Sequence, residues 1–135
     1  MHCCGIERYH NDIKKLKKSY PNIEKDVRDE FKGMTFDHIF ELKQKLSDSG
    51  ISRVLKVRIA NSHNQSGKSG GFRLYLLANV KEQHVTFLTI YPKTNKGGRS
   101  NLDKNEVKEL IAEYNKEKKD ASLKVFSLIE NKEAT

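Results

Sequence analysis

Apolar residues near the start of the chain recur at steps of three and four, the spacing that aligns side chains on one face of an α-helix. The first such run is Ile6, Tyr9, Ile13, Leu16 and Tyr20. Pro21 follows it, and the residue before a proline disfavours helical geometry. The pattern therefore predicts an amphipathic helix over residues 6–20.

Two further helical stretches are expected before residue 50. Asn22 can cap a second helix and Gly33 can end it. Its inward positions are Ile23, Val27 and Phe31. Thr35 can cap a third stretch that closes at Ser49-Gly50. Its inward positions are Phe36, Ile39, Phe40 and Leu46. We interpret all three helices as scaffold.

After residue 53 the apolar period changes to two, as in strands with two unlike faces. The alternating positions of the first strand are Leu55, Lys56, Val57, Arg58 and Ile59. A second strand is predicted over 72–79 and a third, apolar enough to be central, over 85–91. The short segment Lys81-Glu82-Gln83-His84 joins them, which predicts an antiparallel hairpin.

A closing helix is predicted to begin at Asp103, and residues 123–129 resemble one more strand. The inner positions of that helix are Val107, Leu110, Ile111 and Tyr114. The predicted fold class is α+β, with N-terminal helices packed on a small antiparallel sheet and a C-terminal helix. We expect a single domain over 1–135, with a core over 6–115 and an extension over 116–135.

The net charge of +8 is concentrated in the middle of the chain. Residues 53–99 contain nine Lys or Arg against Glu82 alone, whereas the flanking regions are nearly balanced. Such a segregated basic segment indicates a polyanionic partner. The sequence contains no membrane span or signal peptide, so we expect a cytoplasmic protein. Cys3 and Cys4, the only cysteines, are expected to be ordinary reduced thiols.

The joint between the first two strands, residues 61–71, is rich in glycine and small polar residues around Lys68. Gly67-Lys68-Ser69 matches the end of a nucleotide-binding P-loop. That motif needs a glycine where Ser62 stands, and it needs a following helix where a strand is predicted. We therefore exclude a P-loop and predict no cofactor.

A basic surface is the better interpretation of this region. If the first two strands pair antiparallel with their apolar faces on the helices, Lys56, Arg58, Arg73 and Tyr75 share the opposite face. Lys68 then lies at its end. Further cations that can reach the rim are Lys93, Lys96 and Arg99. Such a cluster can bind phosphates, and either Tyr75 or Tyr91 can stack on a base.

The chain resembles RelE-superfamily toxins, particularly the HigB-like branch, over about residues 53–115. The resemblance rests on Lys56-Val-Arg58, Gly67-Lys-Ser-Gly-Gly-Phe-Arg73, Leu88-Thr-Ile-Tyr91-Pro-Lys93 and Asn101-Leu before the closing helix. It implies a toxin of a type II toxin–antitoxin system that cleaves mRNA on the ribosome and is neutralised by a cognate antitoxin. It also implies a RelE-like fold with a basic cleft.

The resemblance further implies individual roles. Arg73 matches the arginine that meets the scissile phosphate, whereas Arg58, Lys56 and Lys93 match basic positions around it. The chain departs from the family in two places. Many relatives open with a β-strand, which the short segment before residue 6 barely allows. Some relatives also have a catalytic tyrosine or histidine where this chain has Asn101-Leu102.

The chemistry needs no metal, since RNA carries its own nucleophile in the 2′-hydroxyl. A lysine crowded by other cations has a lowered pKa, so either Lys68 or Lys56 can serve as the base. Lys93 can then protonate the leaving oxygen. The five histidines lack metal-ligand spacing, and Glu82 alone does not supply a two-metal nuclease.

Two other function classes stay open. Basic strands would suffice for a non-catalytic RNA-binding module, and the same surface could receive an acidic peptide. A DNA-binding regulator is disfavoured because no pair of helices shows a helix-turn-helix signature.

Overall fold

The structure, a computed structural model, describes residues 2–63, 70–93 and 101–126. Within these ranges the helices are α1 (Glu7–Leu16), α2 (Ile23–Phe31), α3 (Phe36–Phe40) and α4 (Lys104–Lys119). The strands are β1 (His2–Gly5), β2 (Lys45–Asp48), β3 (Ser52–Ile59), β4 (Phe72–Asn79), β5 (His84–Pro92) and β6 (Lys124–Phe126). This α+β arrangement confirms the predicted fold class. No helix in the described ranges has both the length and the apolar character needed to cross a membrane.

The strands form one sheet in the order β2-β3-β4-β5-β1-β6. Every neighbouring pair is antiparallel except β1 and β5, which are parallel. The β4–β5 hairpin turns through residues 80–83, where Gln83 has a φ of 52°. The three predicted strands and their antiparallel hairpin are therefore confirmed, with β5 in the interior of the sheet.

Helices cover both faces of this sheet and so create two apolar cores. On one face α1, α2 and α3 pack against the side chains of Leu55, Val57, Leu74 and Leu76. On the other face α4 packs against Val54, Tyr75, Leu77 and Leu88. Every residue of β4 from Phe72 to Ala78 is buried as a result. The expectation that the face opposite the N-terminal helices is an open basic surface was wrong for the part that α4 covers.

The third predicted helix is much shorter than expected. α3 begins after Thr35, whose hydroxyl accepts a hydrogen bond from His38 N as predicted for a cap, but it ends at Phe40. Residues 45–48 instead form β2, which extends the sheet beside β3. Leu46 is 43% exposed there and does not face the core. Ser49-Gly50 lies at a hairpin turn, where the Asp48 carboxylate accepts from Gly50 N at 2.9 Å.

The N-terminal segment forms a strand, contrary to expectation. β1 pairs with β5 from His2↔His84 to Gly5↔Phe87, and the backbone then enters α1 at Glu7. Cys3 and Cys4 are free and buried in this strand. Burial is the main cause that raises the pKa of Cys3 to about 11. Burial also raises the pKa of Cys4, which disfavours the thiolate at both positions at neutral pH.

Helix boundaries deviate in smaller ways. α1 ends at Leu16, four residues before the predicted end. Asn22 occupies the N-cap position of α2 without capping it, because its side chain donates to the Ser62 hydroxyl at 3.2 Å instead. Gly33 has a φ of 78° just after α2, as expected for a terminating glycine. Asp103 caps α4 in a reciprocal pair with Glu106.

Candidate functional site

Two arginines from neighbouring strands lie side by side at one end of the sheet. Arg58 of β3 is paired in register with Arg73 of β4, and Arg73 is paired with Tyr91 of β5. The next row along the same strands is Lys56, Tyr75 and Thr89. The period-two pattern thus places Lys56, Arg58 and Arg73 on one face, as the sequence predicted.

The two arginines differ in exposure. Arg58 is exposed, whereas Arg73 is only 2% exposed and donates to the Phe72 carbonyl at 3.1 Å. Burial, followed by the charge of Arg58, lowers the pKa of Arg73. An arginine side chain remains protonated even so. The fold thus holds a largely desolvated guanidinium next to a second positive charge, an arrangement that favours an anion as ligand.

Lys56 lies between the arginines and the start of α4. Burial is the first cause that lowers its pKa, and the charges of Arg73, Arg58 and Lys93 add to it. Its ammonium group donates a hydrogen bond to the side-chain oxygen of Asn101. We call Lys56, Arg58, Arg73 and Lys93 the basic cluster, because the charges of the other three all act on Lys56.

The side chain of Tyr75 lies inside the protein and is not exposed to solvent. Its side chain is completely buried, and its ring lies 6.1 Å from that of Tyr91 in a stacked arrangement. The Tyr75 hydroxyl accepts from Leu102 N at 2.9 Å and lies 3.3 Å from the Tyr91 hydroxyl. Tyr75 therefore has no free face for a base, which corrects that part of the prediction. Tyr91 is half-buried.

Backbone contacts fix the end of the sheet that carries the cluster. Lys93 N donates to the Gly71 carbonyl at 2.9 Å, which ties the residue after β5 to the start of β4. Gly71 in turn packs tightly on β3, because a Cβ atom there would lie 2.0 Å from the Ile59 carbonyl oxygen. The Asp26 carboxylate of α2 accepts from Ser62 N at 3.1 Å. Lys93 is thus held near the two arginines through main-chain geometry.

A family model described as the RelE toxin of the RelE/RelB toxin–antitoxin system matches residues 24–135. The chain belongs to the RelE toxin family. The match includes every residue of the basic cluster, and the toxins of this family are in general RNA-cleaving endoribonucleases. No curated protein matches the chain.

Only some of the predicted site residues of this RelE-family chain come together in the structure. Lys56, Arg58, Arg73 and Lys93 do, with Tyr91 beside them. Lys68, Lys96 and Arg99 lie outside the described residues. Arg53, although part of the basic segment, is bound to Glu41, Asp48 and the ring of Phe40. Lys81 is exposed at the opposite end of β4, in the β4–β5 turn.

The one acid of the basic segment does not neutralise the cluster. Glu82 lies in the β4–β5 turn and binds the Lys118 ammonium of α4 at 2.7 Å. In the described part of the chain, no three His, Cys, Asp or Glu side chains are grouped so that they could hold a metal ion. The expectation of metal-independent chemistry stays a prediction.

Sequence reasoning gave Asn101 no role of its own. It was part of the family resemblance, at a point where some relatives have a catalytic tyrosine or histidine. In the structure Asn101 contacts Lys56 across 45 positions of sequence. The signal available in the sequence was its place just before the predicted N-cap Asp103, since residues that precede a helix often line a site.

Proposed function

We propose that this RelE-family chain is the toxin of a type II toxin–antitoxin system and a metal-independent endoribonuclease that cuts mRNA on the ribosome. The observation that carries the proposal is the in-register pair Arg58↔Arg73, flanked by Lys56 and Lys93. Four converging cations, two of them able to bind phosphate oxygens bidentately, suit a phosphodiester. The cytoplasm, where mRNA is translated, is the proposed location.

The proposed reaction is an attack of the ribose 2′-oxygen on the adjacent phosphorus. A bond forms between the 2′-oxygen and phosphorus, and the bond from phosphorus to the 5′-oxygen breaks. The products are a 2′,3′-cyclic phosphate and a 5′-hydroxyl. Arg73 and Arg58 stabilise the extra negative charge of the transition state, a role that a preorganised, partly desolvated guanidinium performs well.

The proposed reaction needs two proton transfers, and each is assigned to a lysine. Lys56 takes the 2′-hydroxyl proton, because its lowered pKa leaves a larger neutral fraction near neutral pH than an ordinary lysine has. Lys93 donates a proton to the leaving 5′-oxygen. Lys68 is the other base considered from the sequence, and only the Lys56 assignment has geometric support in the described residues.

Binding of RNA involves further residues in this proposal. The half-buried ring of Tyr91 is the remaining stacking candidate. Lys96 and Arg99 add phosphate contacts from the segment after β5. Within the family, the run from Gly67 to Arg73 supports the HigB-like branch. The partner that neutralises the toxin is a cognate antitoxin, which has to prevent RNA from reaching the basic cluster.

The decisive experiment is induced expression of the wild-type protein and of Arg73→Ala in a bacterial host, with mapping of new 5′-hydroxyl mRNA ends. We expect growth arrest and new ends inside translated frames for the wild type only. Because Arg73 is buried and its loss can unfold the protein, Arg58→Ala is tested in parallel. Lys81→Ala is the matched control, since it removes one charge from the same basic segment far from the cluster.

The outcomes separate the remaining alternatives. Arrest and new ends with wild type and Lys81→Ala, but with neither arginine variant, support the proposal. A folded wild-type protein that binds RNA and generates no new ends is a non-catalytic RNA-binding module. Cleavage of free mRNA at the same rate as mRNA on ribosomes would contradict the ribosome dependence alone.

A further inference from the structure

The segment that leads into α4 touches the basic cluster at two successive residues. Asn101 accepts a hydrogen bond from the Lys56 ammonium group through its side chain. Leu102 donates its backbone N–H to the Tyr75 hydroxyl at 2.9 Å. Each contact connects the start of α4 to a different strand, since Lys56 belongs to β3 and Tyr75 to β4. Asn101 is therefore held against the site from both strands.

We propose that Asn101 is a positioning residue for RNA cleavage, whose side-chain oxygen fixes the Lys56 nitrogen beside Arg58 and Arg73. The inference rests on the proposed function, because it assigns a role in that reaction. It assigns a role to an uncharged residue at the point where some relatives have a catalytic tyrosine or histidine. Asn101 contacts Lys56, and the effect proposed for it on the reaction is exerted through that lysine.

The geometric argument concerns the lone pair of Lys56. A lysine side chain is a flexible four-carbon chain, so its amine is mobile unless a partner holds it. When neutral, the amine has two N–H donors and one lone pair. One N–H donated to Asn101 restricts where the lone pair points, and a base must lie within hydrogen-bond reach of the proton that it removes.

The support behind Asn101 is rigid. Leu102 packs against the core beneath α4, next to Tyr75. Asp103 begins the helix by accepting from Glu106 N at 2.9 Å, and the Glu106 carboxylate accepts from Asp103 N at 3.1 Å. Residues held in this way by packing and hydrogen bonds can orient a reactive group with little freedom.

The charge of the partner matters as much as its position. Burial is the first cause that lowers the pKa of Lys56, followed by the charges of Arg73 on β4, Arg58 on its own strand and Lys93 after β5. Asn101 supplies a hydrogen-bond acceptor without a negative charge. A carboxylate at the same place would favour the protonated lysine and so oppose its use as a base. The nearby Asp103 carboxylate is engaged at the N-terminus of α4.

The test compares Asn101→Asp, Asn101→Ala and the wild-type protein in a reconstituted translation reaction on a defined mRNA, with cleavage rates measured across pH. Asn105→Asp is the matched control, because it adds the same charge at an exposed position of the first turn of α4. In parallel, the Lys56 amine is titrated by NMR in the protein without RNA, with 13C-labelled lysine.

For Asn101→Asp we expect the pKa of Lys56 to rise by about one unit, since an opposite charge favours the protonated form. Cleavage below that pKa then falls about tenfold and recovers at higher pH. For Asn101→Ala we expect a loss of about tenfold at every pH, because the lysine is no longer oriented. Asn105→Asp is expected to match the wild type in both measurements.

Three results would overturn the inference in distinguishable ways. An unchanged Lys56 titration in Asn101→Asp shows that the two side chains do not interact. A raised pKa of Lys56 with an unchanged cleavage profile shows that Asn101 does not act on the reaction. A wild-type protein that leaves mRNA uncut, while the titration behaves as described, means that the proposed function has failed and that Asn101 makes a structural contact only.

Discussion

Arg58 and Arg73 lie directly opposite each other on adjacent antiparallel strands, so the fold places two guanidinium groups at neighbouring positions of one sheet face. Like charges at opposed positions of a sheet destabilise it. Arg73 is also almost completely buried, which adds a cost of desolvation. Both effects oppose the stability of the sheet at this position. The arrangement is the one expected where a phosphate must be met by preorganised charge.

The first prediction is that Arg58→Gln stabilises the protein and abolishes RNA cleavage. Removal of one of two opposed like charges should raise the free energy of unfolding by up to about 1 kcal/mol at low salt. Chemical denaturation at low and high ionic strength measures this gain. The gain should shrink as salt increases, because Arg58 is exposed and its repulsion is screened.

Lys81→Gln serves as the control for Arg58→Gln, since it removes one positive charge from an exposed turn remote from Arg73. We expect almost no change in its free energy of unfolding. A destabilised Arg58→Gln protein would mean that the pair is held by compensating contacts and does not repel.

The second prediction concerns Lys56→Arg. Arginine keeps the positive charge but does not lose its proton at accessible pH. We expect RNA affinity to be kept and cleavage to fall by roughly 100-fold or more, in line with the loss of a general base. Fluorescence anisotropy with a labelled RNA measures affinity, and the rate of 5′-hydroxyl end formation measures cleavage.

The wild-type pH profile offers a second view of Lys56. Cleavage should increase with pH up to the pKa of Lys56, which lies below the ordinary value for lysine because of burial and three nearby cations. Lys81→Arg is expected to leave this profile unchanged. If Lys56→Arg cleaves RNA as fast as the wild type does, the base is another group, and Lys68 becomes the first candidate.

The central strands and the basic cluster could be predicted from sequence because the pattern that specifies them lies within each strand. Alternation along β3 and β4 places Lys56, Arg58 and Arg73 on one face without knowledge of the rest of the fold. The coverage of that face by α4 could not be predicted in the same way. Tyr75 looks like an exposed partner of Lys56 until the helix after Leu102 is seen to pack over it.

The errors near the N-terminus and at residue 46 have a related cause. β1 and β2 are four residues each, too short for a period to be recognised, and both are strands because a neighbouring strand pairs with them. Leu46 fits a helical pattern that begins at Phe36. The pairing of Lys45 with Leu55 overrides it, and Leu46 is left partly exposed. The local preference of a short segment does not reveal that a distant strand will pair with it.

The third prediction is that Tyr75→Phe loosens the start of α4. The substitution removes the hydroxyl that accepts from Leu102 N, and it leaves a part-buried N–H without that partner. A loss of about 1–3 kcal/mol in the free energy of unfolding is expected from an unsatisfied buried donor. Denaturation measures the loss, and amide exchange at Leu102 should accelerate more than exchange within β4.

Tyr91→Phe is the control for Tyr75→Phe. It removes the 3.3 Å contact between the two hydroxyls and leaves the bond between Leu102 N and the Tyr75 hydroxyl intact. We expect a smaller change in stability and no acceleration of exchange at Leu102. Equal effects of the two variants would show that the hydroxyl pair, and not the bond to Leu102, stabilises this region.

The fourth prediction concerns the close approach of β3 and β4 beneath the cluster. In Gly71→Ala the new Cβ atom would lie 2.0 Å from the Ile59 carbonyl oxygen, so the backbone has to move. Strain of this kind costs about 1–3 kcal/mol or more, and the Gly71 carbonyl that holds Lys93 N should shift with it.

Gly50→Ala tests the same substitution without a clash, since only its φ of 86° is unfavourable and costs about 1–2 kcal/mol. We expect Gly71→Ala to lose more stability and to lose RNA cleavage, whereas Gly50→Ala keeps cleavage. Thermal unfolding and the 5′-end assay measure both effects, and full activity in Gly71→Ala would show that the geometry of Lys93 is not required.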